Sequence, residues 1–171
     1  MALRLLDITM ADLSLYERLL CDPTVMAELG GPLPIASLPA KLQRDVAAMA
    51  TDRAWVLTIV PDDITAQPVG IVTIWEHIWR GTTIAEIGWM VVPAFQGWGL
   101  GTAAVRATLD RARATGRWSE VHAFPARTNL PSNAICRSLG FVHIGACDVE
   151  FAGRMLHCNH WCLALHDASQ L

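Results

Sequence analysis

Apolar and polar positions change period several times along this chain, and each change marks an element. Leu3 to Ile8 is a short, mostly apolar run that reads as a strand. From Asp12 to about Leu29 apolar residues recur at helical spacing, with Asp12 placed to cap the helix and a break expected at Asp22-Pro23. Gly30-Gly31-Pro32-Leu33-Pro34 is the strongest cluster of breakers. Ser37 predicts the cap of a second helix through Ala50, with Leu42, Val46 and Met49 on one face. Trp55–Val60 and Val69–Trp75 read as strands joined by a turn around Pro61-Asp62-Asp63, and Gly81 turns the chain into a strand from Thr83 to Val92. Gly99 to Thr115 is helical, with Val105, Leu109 and Ala112 on one face and Gly116 as the stop. Ser119–Phe124 is a strand, Leu130–Leu139 a helix, Phe141–Cys147 a strand and Met155–Leu165 a last strand. The order β-α-α-β-β-β-α-β-α-β-β is α+β, with one parallel crossover through the Gly99–Thr115 helix. No repeat, linker or low-complexity segment divides residues 1–171, so a single domain is expected.

Between the strand Ala85–Pro93 and the helix stands Gln96-Gly97-Trp98-Gly99-Leu100-Gly101. A glycine-rich turn that opens a helix leaves backbone N–H groups pointing outward. With side chains absent at 97, 99 and 101, a phosphate can approach them, helped by about half an elementary charge from the helix dipole. Spacing narrows the choice of cradle. The dinucleotide fingerprint fails, because its third glycine falls on Thr102, and a P-loop fails, because the only lysine is Lys41. What fits is Q-x-x-G-x-G, read as Gln96, Gly99 and Gly101.

That pattern resembles the acyl-CoA pyrophosphate loop of the GNAT superfamily of N-acetyltransferases. Downstream, Asn129-Leu130-Pro131-Ser132-Asn133-Ala134-Ile135-Cys136-Arg137-Ser138-Leu139-Gly140-Phe141 resembles the N-x-x-S…L-G-F segment that closes the same core. The two motifs stand in the family's order, one strand–helix–strand unit apart. The resemblance is clearest from Ala54 to Phe141. It implies a mixed, mostly antiparallel sheet of about seven strands with flanking helices. It also implies that the strands at 83–92 and 119–124 splay apart to hold acyl-CoA, with acetyl-CoA as co-substrate. By residue matching, Trp89, Met90 and Val91 would pair with the pantetheine arm. Gln96, Gly97, Trp98, Gly99, Leu100, Gly101 and Thr102 would meet the pyrophosphate. Asn129 matches a residue that touches the cofactor arm, although helix capping alone also accounts for it.

The implied reaction is attack of an amine on a thioester, direct and without an acyl-enzyme. Glu86 is the candidate base, the one acid in Thr83–Phe95 and set in an apolar strand that should raise its pKa. The alternative is a solvent-facing or paired glutamate. A backbone N–H near Val91 is a candidate oxyanion donor. Many relatives carry a tyrosine acid where this chain has Cys136, and the only tyrosine is Tyr16. Cys136 is the candidate proton donor, against a small apolar filler. His122 is a candidate relay or a core histidine, and His77 a candidate substrate contact. Trp75 and Trp79 are candidates for the acceptor pocket, whereas Trp55, Trp89 and Trp161 read as core. Cys158, His160 and Cys162 share one strand face, but the spacing His157-Cys158-Asn159-His160-Trp161-Cys162 fits no four-ligand zinc site, so no metal is expected.

Composition narrows the partners. A net charge of −3 argues against nucleic acid or an anionic membrane surface. No apolar run reaches the ~18 residues of a membrane span. Asp7 interrupts the N-terminal apolar stretch too early for a signal peptide, and five cysteines without framework spacing point to a reduced, cytoplasmic protein. Twelve arginines against one lysine read as coding bias. The expectation is therefore a cytoplasmic N-acetyltransferase acting on a peptide α-amine or a small-molecule amine, with a homodimer left open. The loops near 30–38 and 76–82 would shape the acceptor site. The segment 129–141 and the ending His160-Trp-Cys-Leu-Ala-Leu165 resemble the ribosomal-protein N-terminal acetyltransferase branch. The alternative is a non-catalytic acyl-CoA-binding or sensing domain.

Overall fold

The computed structural model describes residues 2–62, 67–151 and 153–165. Its elements are β1 (Leu3–Asp7), α1 (Leu13–Leu20), α2 (Leu38–Ala50), β2 (Ala54–Pro61), β3 (Gly70–Trp79), β4 (Thr82–Val91), α3 (Leu100–Thr115), β5 (Glu120–Ala123), α4 (Leu130–Ser138), β6 (Val142–Phe151) and β7 (Arg154–Ala164). The seven strands form one sheet in the order β1-β2-β3-β4-β5-β7-β6. Every neighbouring pair is antiparallel except β4 and β5. The element order is the expected one.

Several boundaries moved, each for a physical reason. The first helix stops at Leu20, and after the break at Asp22-Pro23 only a short 3-10 turn, Ala27–Leu29, follows. Asp12 does not cap α1; it accepts from the Thr9 backbone N–H at 2.8 Å and the Thr9 hydroxyl at 2.9 Å. Ser37 does not cap α2 either, since its hydroxyl donates backward to Pro34 O at 2.7 Å. The predicted strand ending at Trp75 runs on to Trp79, because Arg80 (φ +48°) and Gly81 (φ +83°) form a two-residue hairpin turn that keeps both strands paired to their tips. β6 runs on to Phe151 for the same kind of reason, extended by its pairing with β7. Asp63, part of the expected turn after Pro61, lies outside the described residues.

Two apolar clusters cover the two faces of the sheet. On one face α3 and α4 bury Leu100, Val105, Leu109, Ala112 and Cys136 against Ile74, Ile87, Val121, Ala123 and Trp161. On the other, α1 and α2 bury Leu15, Leu19, Leu38 and Leu42 against Ala54, Val56 and Ile71. The second cover stops short of β5, β7 and β6. The uncovered part is where the site lies.

Candidate active site

Register alone fixes which side chains share the uncovered face. Trp75 stands opposite Glu86, Glu86 opposite His122, and His122 opposite Cys162. Register partners in a pleated sheet point the same way. Period two then adds His77 on β3 and Cys158 and His160 on β7.

The parallel pair β4–β5 is in register only at Glu86↔His122. Beyond Ile87 the edge of β4 has no strand partner among the described residues, so a wedge opens. Its direction can be read from the backbone. Val92 N–H donates to Val69 O at 2.8 Å, and Met90 O faces Gly70 so closely that a Cβ at 70 would collide with it. Backbone groups alternate along a strand, so Met90 turns its N–H and C=O toward β3, while Trp89 and Val91 turn theirs into the wedge. Of the three residues expected to pair with the pantetheine arm, Met90 is therefore placed by its neighbours rather than by the open edge.

The glycine loop closes the end of the wedge. Gly97 (φ +77°) and Gly99 (φ +79°) both adopt the left-handed conformation that glycine tolerates, and a Cβ on either would meet nothing within 4 Å. Gly99 is the N-cap of α3 and offers no capping side chain. The first intrahelical bond is Ala103 N–H to Gly99 O, so the N–H groups of Leu100, Gly101 and Thr102 lead the helix uncapped. Gly101 also has a packing task. A Cβ there would lie 3.3 Å from Ile135 Cδ1, 3.8 Å from Trp89 Cδ1 and 3.9 Å from Val91 Cγ2, so its missing side chain lets α3 pack on β4 and α4. Gln96 anchors the loop. Its Nε2 donates to Val91 O at 2.9 Å and pins the loop to the strand end. Trp98 is exposed and meets Phe95 edge-on at 6.3 Å.

Glu86 sits where the wedge begins, with 17% of its side chain exposed. Burial pushes its pKa from the ordinary 4.5 up to about 8. His77 Nε2 lies 2.7 Å from Glu86 Oε2, and His77 Nδ1 lies 3.3 Å from Ile78 O. A hydrogen bond from His77 favours the ionised carboxylate and so works against burial. His77 therefore contacts the candidate base itself, a role the sequence reading missed. The Arg80-Gly81 hairpin was the available signal, because a two-residue turn there places Trp75 opposite Glu86 and His77 on the diagonal.

Further along the face, His122 Nδ1 lies 2.8 Å from His160 Nε2, and His122 Nε2 lies 3.1 Å from Glu120 Oε1. His122 is 7% exposed. Burial lowers the pKa of His160, and His122 lowers it further. Phe124 stacks on His160 at 4.6 Å and touches Trp79 at 4.7 Å, so the hairpin tip lies over this end of the face. Trp75 stacks on His77 at 6.3 Å. Cys162 does meet ligand-type groups, but through pairing with β5 rather than through local spacing: ligand atoms of Glu120, His122 and Cys162 lie within 4.8 Å of one another. They are already engaged in hydrogen bonds with each other.

Cys136, on α4, is fully buried in the core cluster that α3 and α4 form with the sheet, and burial pushes its thiol up to about 12. Asn129 accepts from Ser132 N–H at 3.1 Å, which makes it the cap of α4. Its neighbour Asn133 is the stronger organiser and went unnoticed in the sequence. Asn133 Nδ2 donates to Ala126 O and Asn129 O, while its Oδ1 accepts from Asn159 Nδ2 and Trp161 Nε1, both at 2.9 Å. It thereby ties α4 to the loop before it and to β7.

The loop after α1 reaches across the open face. Thr128 Oγ1 donates to Glu28 Oε2 at 2.6 Å, and a Cβ on Gly30 would lie 3.1 Å from Arg154 Cδ. This roof faces the β6–β7 hairpin. The arrangement as a whole offers uncapped N–H groups behind open glycines, an open strand edge and a buried carboxyl raised by burial where that edge begins.

A family model described as an acetyltransferase (GNAT) domain matches residues 2–142. No curated protein matches the sequence. Solved structures resemble the whole chain. The acetyl transferase that modifies the N-terminal serine of 50S ribosomal subunit protein L7/L12 from Salmonella typhimurium is 16% identical, with a TM-score of 0.78 over 95% of this chain and 94% of its own. Mycobacterium smegmatis RimJ, in complex with a CoA disulfide, is 22% identical with a TM-score of 0.78, over 98% and 84%. The microcin C7 self-immunity acetyltransferase MccE, in complex with acetyl-CoA and AMP, is 18% identical with a TM-score of 0.78, over 95% and 92%. At these identities the likeness establishes a shared fold.

Proposed function

This chain belongs to the acetyltransferase (GNAT) family, and we propose from that premise that it moves the acetyl group of acetyl-CoA onto a peptide α-amine, with Glu86 as the base. One observation carries the reading. Burial brings Glu86 to about 8, and a peptide α-amine titrates at about 7.7–8.0. A carboxyl raised by burial is a stronger base than an ordinary carboxylate, the direction that taking a proton from an α-ammonium requires. A lysine-type amine near 10.4 would leave the same step uphill. The α-amine chemistry named for the structural relative from Salmonella typhimurium supports the same class.

The residues fit acetyl-CoA. Gly97 and Gly99 leave open space before the uncapped N–H groups of Leu100, Gly101 and Thr102, which suits a pyrophosphate. The wedge-facing groups of Trp89 and Val91 suit the amides of a pantetheine arm. Acetyl-CoA supplies an activated acyl thioester. The chain's own residues do the rest. Glu86 takes the ammonium proton, and His77, 2.7 Å away, orients the carboxylate. Val91 N–H points into the wedge and serves as the oxyanion donor, held in place because Gln96 anchors the same residue's carbonyl. Cys136, pushed up to about 12, is a weaker acid than a departing thiol near 8.5. We therefore assign Cys136 to packing and the final proton to water or to the acylated amine. Five cysteines with no framework spacing support a reducing, cytoplasmic setting.

The test is CoA release from acetyl-CoA across free-N-terminus peptides, amino acids, polyamines and aminoglycosides. Turnover confined to α-amines is expected. Acetyl-CoA binding without turnover on any amine would favour a sensing domain instead. No binding at all would overturn the cradle argument.

A further inference from the structure

Glu86 accounts for the amine end of an acceptor. Toward the β6–β7 hairpin the molecule also carries cations. A cavity of about 420 Å³ opens there, lined by Arg80, Arg127, Ala146, Cys147, Asp148 and His157. Register leads from it to the candidate base: Cys147 in its wall stands opposite Cys158 on β7, whose neighbours on the same strand face, His160 and Cys162, lead through His122 to Glu86. Its one acid, Asp148, is engaged, with Oδ1 at 2.7 Å from His157 Nδ1. Neither Arg80 nor Arg127 has an ion-pair partner among the described residues.

Arg80 also sits where arginine is costly. It holds φ +48° in the first position of a turn whose second residue, Gly81, is at +83°. That position favours asparagine, aspartate or glycine, and a bulky residue there stores strain. The guanidinium is steadied by the Trp79 ring, with Cζ 5.2 Å from its centroid. The wall thus keeps two permanent cations, both without an ion-pair partner among the described residues, and one of them in a strained backbone.

We propose that this cavity selects acceptors whose amine is accompanied by a carboxylate group, with Arg80 and Arg127 binding the anion while the amine faces Glu86. This rests on the amine-transfer reading above. A guanidinium binds carboxylate with paired N–H donors, and such bonds are the strong ones. A polycationic acceptor would instead meet two like charges. The carboxylate has two sources, an acidic side chain early in a peptide or a free dicarboxylic amino acid.

The test compares kcat/KM for acetyl transfer to equal-length peptides with free N-termini that are acidic, neutral or basic at the second to fourth residues, alongside free glutamate. Wild type is run beside Arg80→Ala, Arg127→Ala, Arg80→Lys and Arg127→Glu, with thermal melts to verify folding. Acidic peptides should exceed basic ones by at least about tenfold, and each alanine variant should cost about tenfold on the acidic peptide, chiefly in KM. Arg127→Glu should reverse the order, and added salt should shrink the preference. A preference for free glutamate over acidic peptides would name the small molecule as the source. Equal rates on all peptides, or a preference untouched by the arginine variants, would overturn the proposal. If no amine is acetylated, calorimetry with an N-acetylated acidic peptide and CoA decides. Arginine-dependent binding keeps the anion site and rejects only the transfer reading, whereas no binding rejects the site as well.

Discussion

Replacing Glu86 by glutamine removes the charge while keeping the shape. If burial sets the carboxyl at about 8, about a tenth of it is ionised at pH 7 and about nine-tenths at pH 9. Wild-type kcat/KM should therefore climb about tenfold over that interval. Glu86→Gln should lose this limb, and its rate at pH 9 should fall by about 10²–10⁴-fold, the usual worth of a general base. CoA release measured from pH 6 to 10 with one peptide reads both effects. Because the peptide's own amine titrates near 8, a second acceptor of different pKa separates them: the enzyme's limb stays in place and the amine's limb moves. Stability supplies an independent check with a definite sign. Glu86 rises from 4.5 in the open chain to about 8 in the fold, so the native state holds a proton that the unfolded state has lost. The stabilising contribution is full below pH 4.5 and is lost as pH rises through 8. Urea unfolding should show stability falling across that window in wild type, with a flatter curve for Glu86→Gln. A mutant that keeps the wild-type pH limb and rate would refute the assignment of Glu86, however well the protein folds.

Three further outcomes are expected. Gly99→Ala forces a side chain onto φ +79°, so it should cost about 1 kcal/mol, lower Tm and raise the Kd for CoA; Gly101→Ala has no such backbone strain and needs only a small shift of Ile135 Cδ1 at 3.3 Å, so it should change Tm less than Gly99→Ala does. Calorimetry and thermal melts separate these two effects. Cys136→Ala should destabilise by about 1–2 kcal/mol as a core truncation and leave turnover within a few-fold; a hundredfold loss of kcat at unchanged Tm would restore the thiol as a proton donor. Asn133→Ala should cost about 2–4 kcal/mol in urea unfolding, since Asn159 Nδ2 and Trp161 Nε1 lose their acceptor; a change below about 0.5 kcal/mol would deny it the organising role.

Much of this protein was written locally. The element order followed from periodicity and breakers, because amphipathic spacing and Gly–Pro punctuation act over a few residues. The glycine loop was legible for the same reason: a left-handed turn into a helix needs glycines at fixed offsets, and Gly97 and Gly99 adopt the backbone that only such residues tolerate well. Glu86 stood out as an acid in an apolar strand, and burial is what moves its pKa. Local reading failed where one residue type serves several tasks. Asp12 and Ser37 look like caps but bond backward to Thr9 and Pro34. For Gly101 and Gln96 the structure adds what the motif did not show, a close approach to Ile135 for the first and a bond to the strand end at Val91 O for the second.

What only the tertiary structure decided is which distant residues share a face. Glu86, His77, His122 and His160 come from four strands, and their adjacency depends on register across three strand pairs. A slip of one residue would turn any one of them to the opposite side. The same holds for Arg80 and Arg127, which stand 47 positions apart in the chain and line one cavity. Short-range propensity carries no information about such pairings, because what selects the register is burial of the two apolar faces under α1–α2 and α3–α4. The glycine loop is thus a local property of this sequence, and the grouping of charged side chains from distant strands is a property of the sheet.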